Sequence, residues 1–221
     1  MKLSQETLTV LQNFAAINQS IQFKAGNVVK TKSSSAEVFG AVTLAEEFPI
    51  DFAIYELGRF LNVMSLFSDP ELDFSEGNAV TIGDGRNSVR YAFADPSLIS
   101  GANYDKDIKL PTVIATFTLK QDQIIKLQKA AAVLGAPTCT ISAKNGELVV
   151  SAHDKKNSSS DKFSLSIGTT DASDFTVDLK LETLRLIPGD YEVEVTERVV
   201  CRFTNVPSKL TYLIAGEVEV R

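Results

Sequence analysis

The chain has 221 residues and a formal net charge of −6, and 44% of its residues are hydrophobic while 23% are charged. No apolar run approaches the roughly 18 residues of a membrane span, and a uniformly acidic surface repels phosphates, so the composition excludes a membrane protein and a uniformly basic nucleic-acid binder. The opening Met1-Lys2-Leu3-Ser4 lacks the apolar core of a secretory signal, so we expect a cytoplasmic protein.

The first half combines two short helices with several strands. A helix is predicted over 4–16, because Ser4 is a suitable N-cap and Leu8, Leu11 and Ala15 recur at helical spacing. A second helix is predicted over 55–67. Its apolar stripe consists of Leu57, Phe60, Leu61 and Met64. Strands are predicted at 21–24, 28–32, 38–44, 79–82 and 88–93.

The stretch 95–111 breaks this pattern with two prolines, a glycine and several charges, which is typical of an extended connector. The prediction is a first domain at 1–94, a connector at 95–111 and a second domain at 112–221. The order of elements restarts beyond the connector, with helices predicted over 120–134 and 180–187. Strands are predicted at 113–118, 138–143, 147–152, 163–167, 175–179, 191–196, 199–204 and 210–220.

The restart is visible in the residues themselves. Three series of matches keep the same order, at separations of 116, 120 and 123 residues. Representative pairs are Leu3 with Leu119, Leu11 with Leu127, Gly26 with Gly146, and Asp51 with Asp174. We infer two copies of one α+β fold, each with two helices covering one face of antiparallel sheets.

Residues that carry out chemistry are sparse. Cys139 and Cys201 are too few for a disulfide framework and lack the paired spacing of a zinc site. The single histidine, His153, falls in a predicted polar loop, where we expect a solvated side chain. Gly83-Asp84-Gly85 predicts a hairpin turn, since the Gly-Lys-Ser/Thr of a phosphate-binding loop is missing. We expect a protein that is not an enzyme and that binds no metal or cofactor. The 28 acidic residues leave catalysis by a carboxylate pair open as an alternative.

Several segments, taken in order, resemble the sliding clamps of T-even-type bacteriophages. The run Ala53-Ile54-Tyr55-Glu56-Leu57 is similar to the second helix of that family. Ala94-Asp95-Pro96-Ser97 resembles the entry to its connector, and Pro188-Gly189-Asp190-Tyr191 falls at the expected place in the second half. The similarity runs nearly from end to end.

The resemblance implies a head-to-tail homotrimer of two-domain subunits, similar in architecture to proliferating cell nuclear antigen. Antiparallel sheets would form the outer wall, and helices would line a pore around duplex DNA, which is held by topology without base recognition. The implied partners are the DNA polymerase, an ATP-dependent clamp loader and, in some relatives, RNA polymerase-associated late transcription factors. The implied location is the cytoplasm of the infected bacterial host.

The pore side of the helices is expected to carry cations. With Ile124, Leu127, Ala131 and Leu134 on the sheet, the helix over 120–134 turns its charged residues outward. The DNA-facing candidates are Lys126, Lys129, Arg59, Arg185, Lys180 and Lys2. The first helix supplies no cation beyond the nearby Lys2. Ordinary solvated side chains are the alternative interpretation.

Two further surfaces follow from the resemblance. The strands 88–93 and 163–167 are apolar at alternate residues and lie in opposite halves, so they are candidates for the subunit contact. The contact residues would be Tyr91, Phe93, Phe163, Leu165 and Ile167. Partner tails would bind beneath the connector, in a pocket formed by Val42, Leu44, Ile108, Leu110, Leu213 and Ile214. Packing inside each domain is the alternative for both sets.

A phage structural protein of the tail or capsid is the alternative function, because such β-rich oligomers can also be acidic, duplicated and free of catalytic motifs. A cavity lined by helices that carry Lys126, Lys129, Arg59 and Arg185 would distinguish a clamp, since a virion wall protein does not need one.

Overall fold

The computed structural model describes residues 1–101 and 108–217, which form two compact units divided between residues 107 and 108. Two sequence predictions reach beyond these residues, namely the middle of the connector at 102–107 and the end of the last strand at 218–220. Within the described part of the chain, no helix has the length and apolar character needed to cross a membrane.

The first unit contains two α-helices and seven strands among its described residues. The helices are α1 (Gln5–Ile17) and α2 (Leu57–Met64). The strands are β1 (Ile21–Phe23), β2 (Gly26–Lys32), β3 (Val38–Phe48), β4 (Phe52–Ile54), β5 (Glu71–Asp73), β6 (Ala79–Gly83) and β7 (Ser88–Ala92). All pairings are antiparallel: β1 pairs with β4, β2 with β3, and β6 lies between β5 and β7.

Helix α1 begins where the sequence predicts. Ser4 is the N-cap, and its hydroxyl oxygen accepts a hydrogen bond from the Thr7 N–H at 3.2 Å. The helix buries Val10, Leu11 and Phe14. Elsewhere in this unit the core is aromatic. Contacting rings belong to Phe23, Phe48, Phe52, Phe74 and Phe93, and the stacked pair Phe23–Phe52 has a centroid separation of 4.5 Å.

The second unit contains one α-helix and eight strands among its described residues. The helix is α3 (Gln121–Leu134). The strands are β8 (Val113–Leu119), β9 (Thr138–Lys144), β10 (Glu147–His153), β11 (Phe163–Thr169), β12 (Phe175–Lys180), β13 (Tyr191–Thr196), β14 (Val200–Asn205) and β15 (Thr211–Ala215). One antiparallel sheet has the order β11-β10-β9-β12, and in another β13 lies between β8 and β14, with β15 beyond β14.

The two units share one plan, which agrees with the duplication inferred from the sequence. In the first unit, helix α1 is followed by four strands, β1 to β4, then by the short helix α2 and the strands β5 to β7. In the second unit, helix α3 is followed by four strands, β9 to β12, then by a 3-10 turn and the strands β13 to β15. Asp51 and Asp174, which match in sequence, also have the same contact. Asp51 Oδ1 accepts from the Ala25 N–H at 2.8 Å, and Asp174 Oδ1 accepts from the Asn145 N–H at 2.9 Å. Each carboxylate therefore holds the turn between two strands.

The predicted fourth helix over 180–187 is wrong. Lys180 is the last residue of β12, and only a 3-10 turn, Leu181–Thr183, follows it. The Leu181 N–H donates to Pro137 O at 2.8 Å, which fixes the start of this turn. Pro188 disfavours helical geometry at the residue before it, so too few residues remain to form a stable α-helix.

Candidate DNA-facing helices and subunit edges

Helix α3 has one apolar side and one charged side. Its buried residues are Ile124, Leu127 and Ala131, as the spacing predicts. Leu134 does not join them and is 37% exposed, because it is the last helical residue and Gly135, at φ 61°, turns the chain away. The exposed side carries Asp122, Lys126 and Lys129. The structure therefore brings two of the six predicted DNA-facing cations together on one helix face.

The two lysines of α3 differ in their surroundings. Lys126 Nζ lies 3.3 Å from Asp122 Oδ2, one helical turn away, and both side chains are more than half exposed. For Lys129, no salt bridge is formed within residues 1–101 and 108–217. Lys126 thus shares its charge with a neighbouring carboxylate, whereas Lys129 presents its charge to solvent.

Two other predicted cations also have acidic neighbours. Arg59 lies on α2 and is exposed, and its Nη1 is 3.7 Å from Glu56 Oε2. Lys2 precedes α1 and forms a salt bridge with Asp69, while its Nζ lies 3.5 Å from Glu71 Oε1. The hydrogen bond to Asp69 raises the pKa of Lys2. Both cations therefore lie in locally neutral or acidic surroundings.

Lys180 and Arg185 are not on a helix face, because the fourth helix is absent. Lys180 is half-buried at the end of β12. Arg185 follows the 3-10 turn and is exposed, and its Nε donates to Glu182 O at 3.1 Å. Lys180 and Arg185 were predicted to face DNA from a helix over 180–187, and this segment does not form an α-helix.

The N-termini of α1 and α3 are both occupied by carboxylates. Glu46 accepts from the Ser4 N–H and, at 2.6 Å, from the Thr7 hydroxyl. Burial raises the pKa of Glu46, but these hydrogen bonds outweigh that effect and leave the pKa below its ordinary value. Asp190 accepts from the Gln121 N–H at 2.9 Å and lies 2.9 Å from Lys120 Nζ.

The Gln121 N–H and then the Lys120 ammonium lower the pKa of Asp190. The free N–H groups at a helix N-terminus attract an anion. At α1 and α3 this anion is already supplied within the chain, by the carboxylates of Glu46 and Asp190. Neither of these helix ends therefore offers its N–H groups to a further anion.

Strand β7 is an outer strand of its sheet and pairs only with β6 among the described residues. Val89 and Tyr91 are half-buried and alternate with exposed residues. The Tyr91 ring packs edge-on against Phe60 at a centroid distance of 5.3 Å, and Phe93 packs against Phe52 at 4.9 Å. These predicted contact residues therefore belong partly to the core of the first unit, yet keep an exposed side.

A groove of about 400 Å³ runs along β7. It is lined mainly by Tyr55, Arg59 and Val63 on the helix side and by Val89, Tyr91 and Phe93 on the strand side. Arg59 thus lies on the exposed face of α2 and also borders the edge of β7.

Strand β11 is an outer strand of the second unit, with β10 as its partner among the described residues. Phe163, Leu165 and Ile167 are half-buried, and the residues between them are exposed. Leu165 lies opposite Val150, which is buried in the core. The three apolar side chains therefore continue the core face of this sheet to its edge, as Val89 and Tyr91 do on β7.

The predicted partner pocket contains residues of different exposure. In the first unit, Val42 and Leu44 are buried in β3. In the second unit, Ile214 is fully buried, Leu213 and Leu110 are half-buried, and Ile108 is 51% exposed. Ile108, Leu110 and Leu213 therefore keep exposed apolar surface, whereas Val42, Leu44 and Ile214 are covered within their own units.

A polar cluster in the second unit was missed by the sequence analysis. Asp178 on β12 is buried, and its Oδ2 lies 2.5 Å from Lys155 Nζ. The Thr140 hydroxyl donates to Asp178 Oδ1 at 2.6 Å, so it accepts from His153, whose Nε2 is 2.8 Å away. His153 is therefore not a solvated loop residue, because it ends β10 and points at Thr140.

Alternation along neighbouring strands could have placed Thr140 and His153 on one face, but no local signal links Lys155 to Asp178. Beside the cluster is a cavity of about 690 Å³. Its lining includes Pro137, Lys155, Lys156, Lys180, Leu181 and Glu182.

The described residues contain no group of three or more acidic, histidine or cysteine side chains placed to hold a metal ion. Burial raises the pKa of both Cys139 and Cys201 to about 12, so both side chains remain protonated thiols at neutral pH. Hence the residues most suited to nucleophilic or metal chemistry are inert core residues.

Known proteins resemble this chain along nearly its whole length. A family model described as DNA polymerase processivity factor matches residues 3–100, and one described as gp45 sliding clamp, C terminal, matches residues 116–218. The sliding clamp of Vibrio phage KVP40 is 31% identical over 98% of this chain and 99% of its own length. The sliding clamp of Escherichia phage RB69 is 29% identical over 99% and 98%.

The fold is also shared with more distant proteins. A solved structure of A. fulgidus PCNA, bound to the C-terminal region of FEN-1, superposes with a TM-score of 0.72 at 14% identity, over 97% of this chain and 96% of that one. At this identity the likeness concerns the fold alone. With a duplicated α+β unit and 31% identity to a phage clamp over 98% of its length, the chain belongs to the sliding clamp family of DNA polymerase processivity factors.

Proposed function

We propose that this sliding clamp encloses duplex DNA in a closed ring and tethers the replicative DNA polymerase, without catalysing a reaction itself. The observation that carries the proposal is the pair of unpartnered edge strands, β7 in one unit and β11 in the other. Because the two edges lie in different units of one chain, copies can join head to tail and close into a ring. Membership of the sliding clamp family argues against the alternative function, that of a phage tail or capsid protein.

The ring is a homotrimer in this proposal, closed through the predicted strands 88–93 and 163–167. Both edges present half-buried apolar side chains on the same face as their own core. Pairing β7 with β11 of a second copy would satisfy their free backbone groups and merge the two apolar rows. The groove of about 400 Å³ beside β7 offers space for Phe163, Leu165 and Ile167 of the neighbour.

Duplex DNA would pass along the exposed face of α3 in each subunit, where Lys126 and Lys129 attract phosphates. The whole chain carries −6, but threefold repetition gives six such lysines around one opening. An acidic exterior discourages DNA from binding elsewhere. Arg59, Arg185, Lys180 and Lys2 would add less, since three of them lie beside carboxylate or carbonyl oxygens and Lys180 is half-buried.

Reversal of both charges, Lys126→Glu with Lys129→Glu, is expected to shorten the retention of loaded clamps on circular DNA. The phosphate attraction becomes repulsion, so the effect should be largest at low ionic strength. Retention is measured by gel filtration of clamp–DNA complexes after loading. Lys144→Glu with Lys156→Glu adds the same charge at other exposed positions and should retain DNA better. Equal retention of both double variants at low salt would show that the α3 lysines do not face DNA.

Partners would bind through short apolar tails near the connector, and the residues proposed for this contact are Ile108, Leu110, Leu213, Val42, Leu44 and Ile214. The A. fulgidus PCNA structure, which contains the bound C-terminal region of FEN-1, supports this kind of contact. An ATP-dependent clamp loader and RNA polymerase-associated late transcription factors complete the proposed partners, and the proposed location is the cytoplasm of the infected bacterium.

The C-terminal peptide of the cognate polymerase is expected to shift NMR signals of Ile108, Leu110 and Leu213. A peptide whose apolar residues are replaced by serine provides the control, since it lacks the groups that an apolar pocket binds. Shifts confined to the α3 lysines would place the tail elsewhere.

A further inference from the structure

The helices proposed to face DNA carry carboxylates at the positions that best screen their cations. On α3, Asp122 is four residues before Lys126, with Oδ2 and Nζ 3.3 Å apart. On α2, Glu56 is three residues before Arg59, with Oε2 and Nη1 3.7 Å apart. Both spacings bring side chains together on a helix surface. The same local pairing therefore occurs in both units.

These pairs make only a small contribution to stability. All four side chains are more than half exposed. Exposed ion pairs of this type contribute little to folding, and they weaken further as salt rises. Their larger effect is on charge available to an external anion, because a phosphate must compete with a carboxylate that is held within one helical turn.

Lys129 provides an internal comparison on the same helix. The residues three and four positions away from it are Lys126, Ile125, Ala132 and Val133, none of which is acidic. Lys129 therefore keeps its whole charge available, while Lys126, one turn earlier, shares its charge with Asp122. One helix thus carries one screened cation and one unscreened cation.

We propose that Asp122 and Glu56 are positioning residues that screen Lys126 and Arg59 from DNA phosphates, and that Lys129 makes the main ionic contact. This inference rests on the proposed passage of DNA along these helices. Each subunit then offers a single strong cation instead of three, so the ring holds DNA through weak contacts that break readily. Retention by topology remains, and movement along the duplex meets little ionic resistance.

The test is the variant Asp122→Asn, which keeps the size of the side chain and removes its charge. Binding of the trimer to a fluorescent 30-base-pair duplex is measured by anisotropy over a series of NaCl concentrations. Each phosphate neutralised by a cation contributes about 0.9 to the slope of log K against log [NaCl]. We expect Asp122→Asn to bind more tightly than the parent clamp and to have a steeper slope, by about 0.9 for each Lys126 that contacts phosphate.

Glu147→Gln is the matched control, since it removes one negative charge from an exposed residue at the start of β10. It should leave the slope unchanged. Lys126→Met combined with Asp122→Asn should cancel the gain, because the released cation is then missing. A purely structural role for Asp122 would change the thermal unfolding midpoint without changing the salt slope.

Equal slopes for Asp122→Asn and Glu147→Gln would overturn the screening role. If Lys129→Glu nevertheless weakens binding in that case, the DNA-facing surface stands and only the screening is wrong. If Lys129→Glu has no effect either, the proposed DNA-facing surface fails together with the inference.

Discussion

Replacement of Leu165 by Asp is expected to yield folded monomers at micromolar concentration. Leu165 lies in the middle of the free edge of β11 and is half-buried within its own unit. In the proposed trimer its side chain would be covered by the apolar residues of β7 from a neighbour. A carboxylate there would lose its hydration without gaining a partner, at a cost of several kcal/mol at each of the three contacts. Sedimentation velocity measures the mass, and near-ultraviolet circular dichroism checks the fold.

Ser166→Asp is the matched control for this experiment. Ser166 neighbours Leu165 on the same strand but is exposed and points to the opposite face. The same charge added there should leave the mass of the trimer unchanged. A Leu165→Asp variant that remains trimeric at micromolar concentration would contradict the assignment of β11 to the subunit contact, although the clamp could still form a ring through other strands.

Local sequence signals predicted the helices that have clear caps and periodic apolar residues. Ser4 marks the start of α1, and the glycine after Leu134 marks the end of α3. Helix α2 is shorter than predicted, Leu57–Met64 in place of 55–67, since the apolar residues at both ends belong to non-helical backbone. The three series of matches, which include Asp51 with Asp174, predicted the duplication, and these two carboxylates make the same contact with a turn N–H group.

Other features depend on contacts that are distant in sequence. The strands β4 and β5 were missed and have only three residues each, although β1, which is equally short, was predicted. The prediction of a fourth helix over 180–187 did not account for the hydrogen bond that ties Leu181 to Pro137 or for the proline that follows. The backbone geometry of this segment thus depends on a contact that the segment itself does not show.

In the candidate site too, features that depend on one segment were predicted, and features that depend on distant contacts were not. Helical periodicity predicted that Lys126 and Lys129 lie on the exposed face of α3, since that inference needs only the residues of one helix. It did not predict the carboxylate neighbours of Lys2, because Asp69 and Glu71 come from a distant segment. Burial of Ile214 likewise depends on how strands pack, so the sequence alone placed this residue in a surface pocket and did not predict that it is fully buried.

The buried pair of Asp178 and Lys155 is expected to be the most important ionic contact for the stability of the second unit. Asp178→Asn keeps an oxygen for the Thr140 hydroxyl but replaces the second oxygen, 2.5 Å from Lys155 Nζ, with an amide group that cannot accept. The Lys155 ammonium then loses its carboxylate while its side chain is only 27% exposed. We expect a loss of roughly 2–4 kcal/mol, between the values of about 3–5 for a buried pair and about 0–1 for an exposed one.

The free energy of unfolding is measured by urea titration at one fixed protomer concentration, because ring assembly stabilises the folded chain by mass action. Asp69→Asn, which removes the carboxylate from the exposed pair with Lys2, is the matched control and should cost much less stability than Asp178→Asn. Lys155→Met added to Asp178→Asn should recover part of the loss, since the ammonium that lost the Asp178 carboxylate is then absent. Similar losses for Asp178→Asn and Asp69→Asn would mean that solvent screens the Asp178–Lys155 pair as fully as an exposed one.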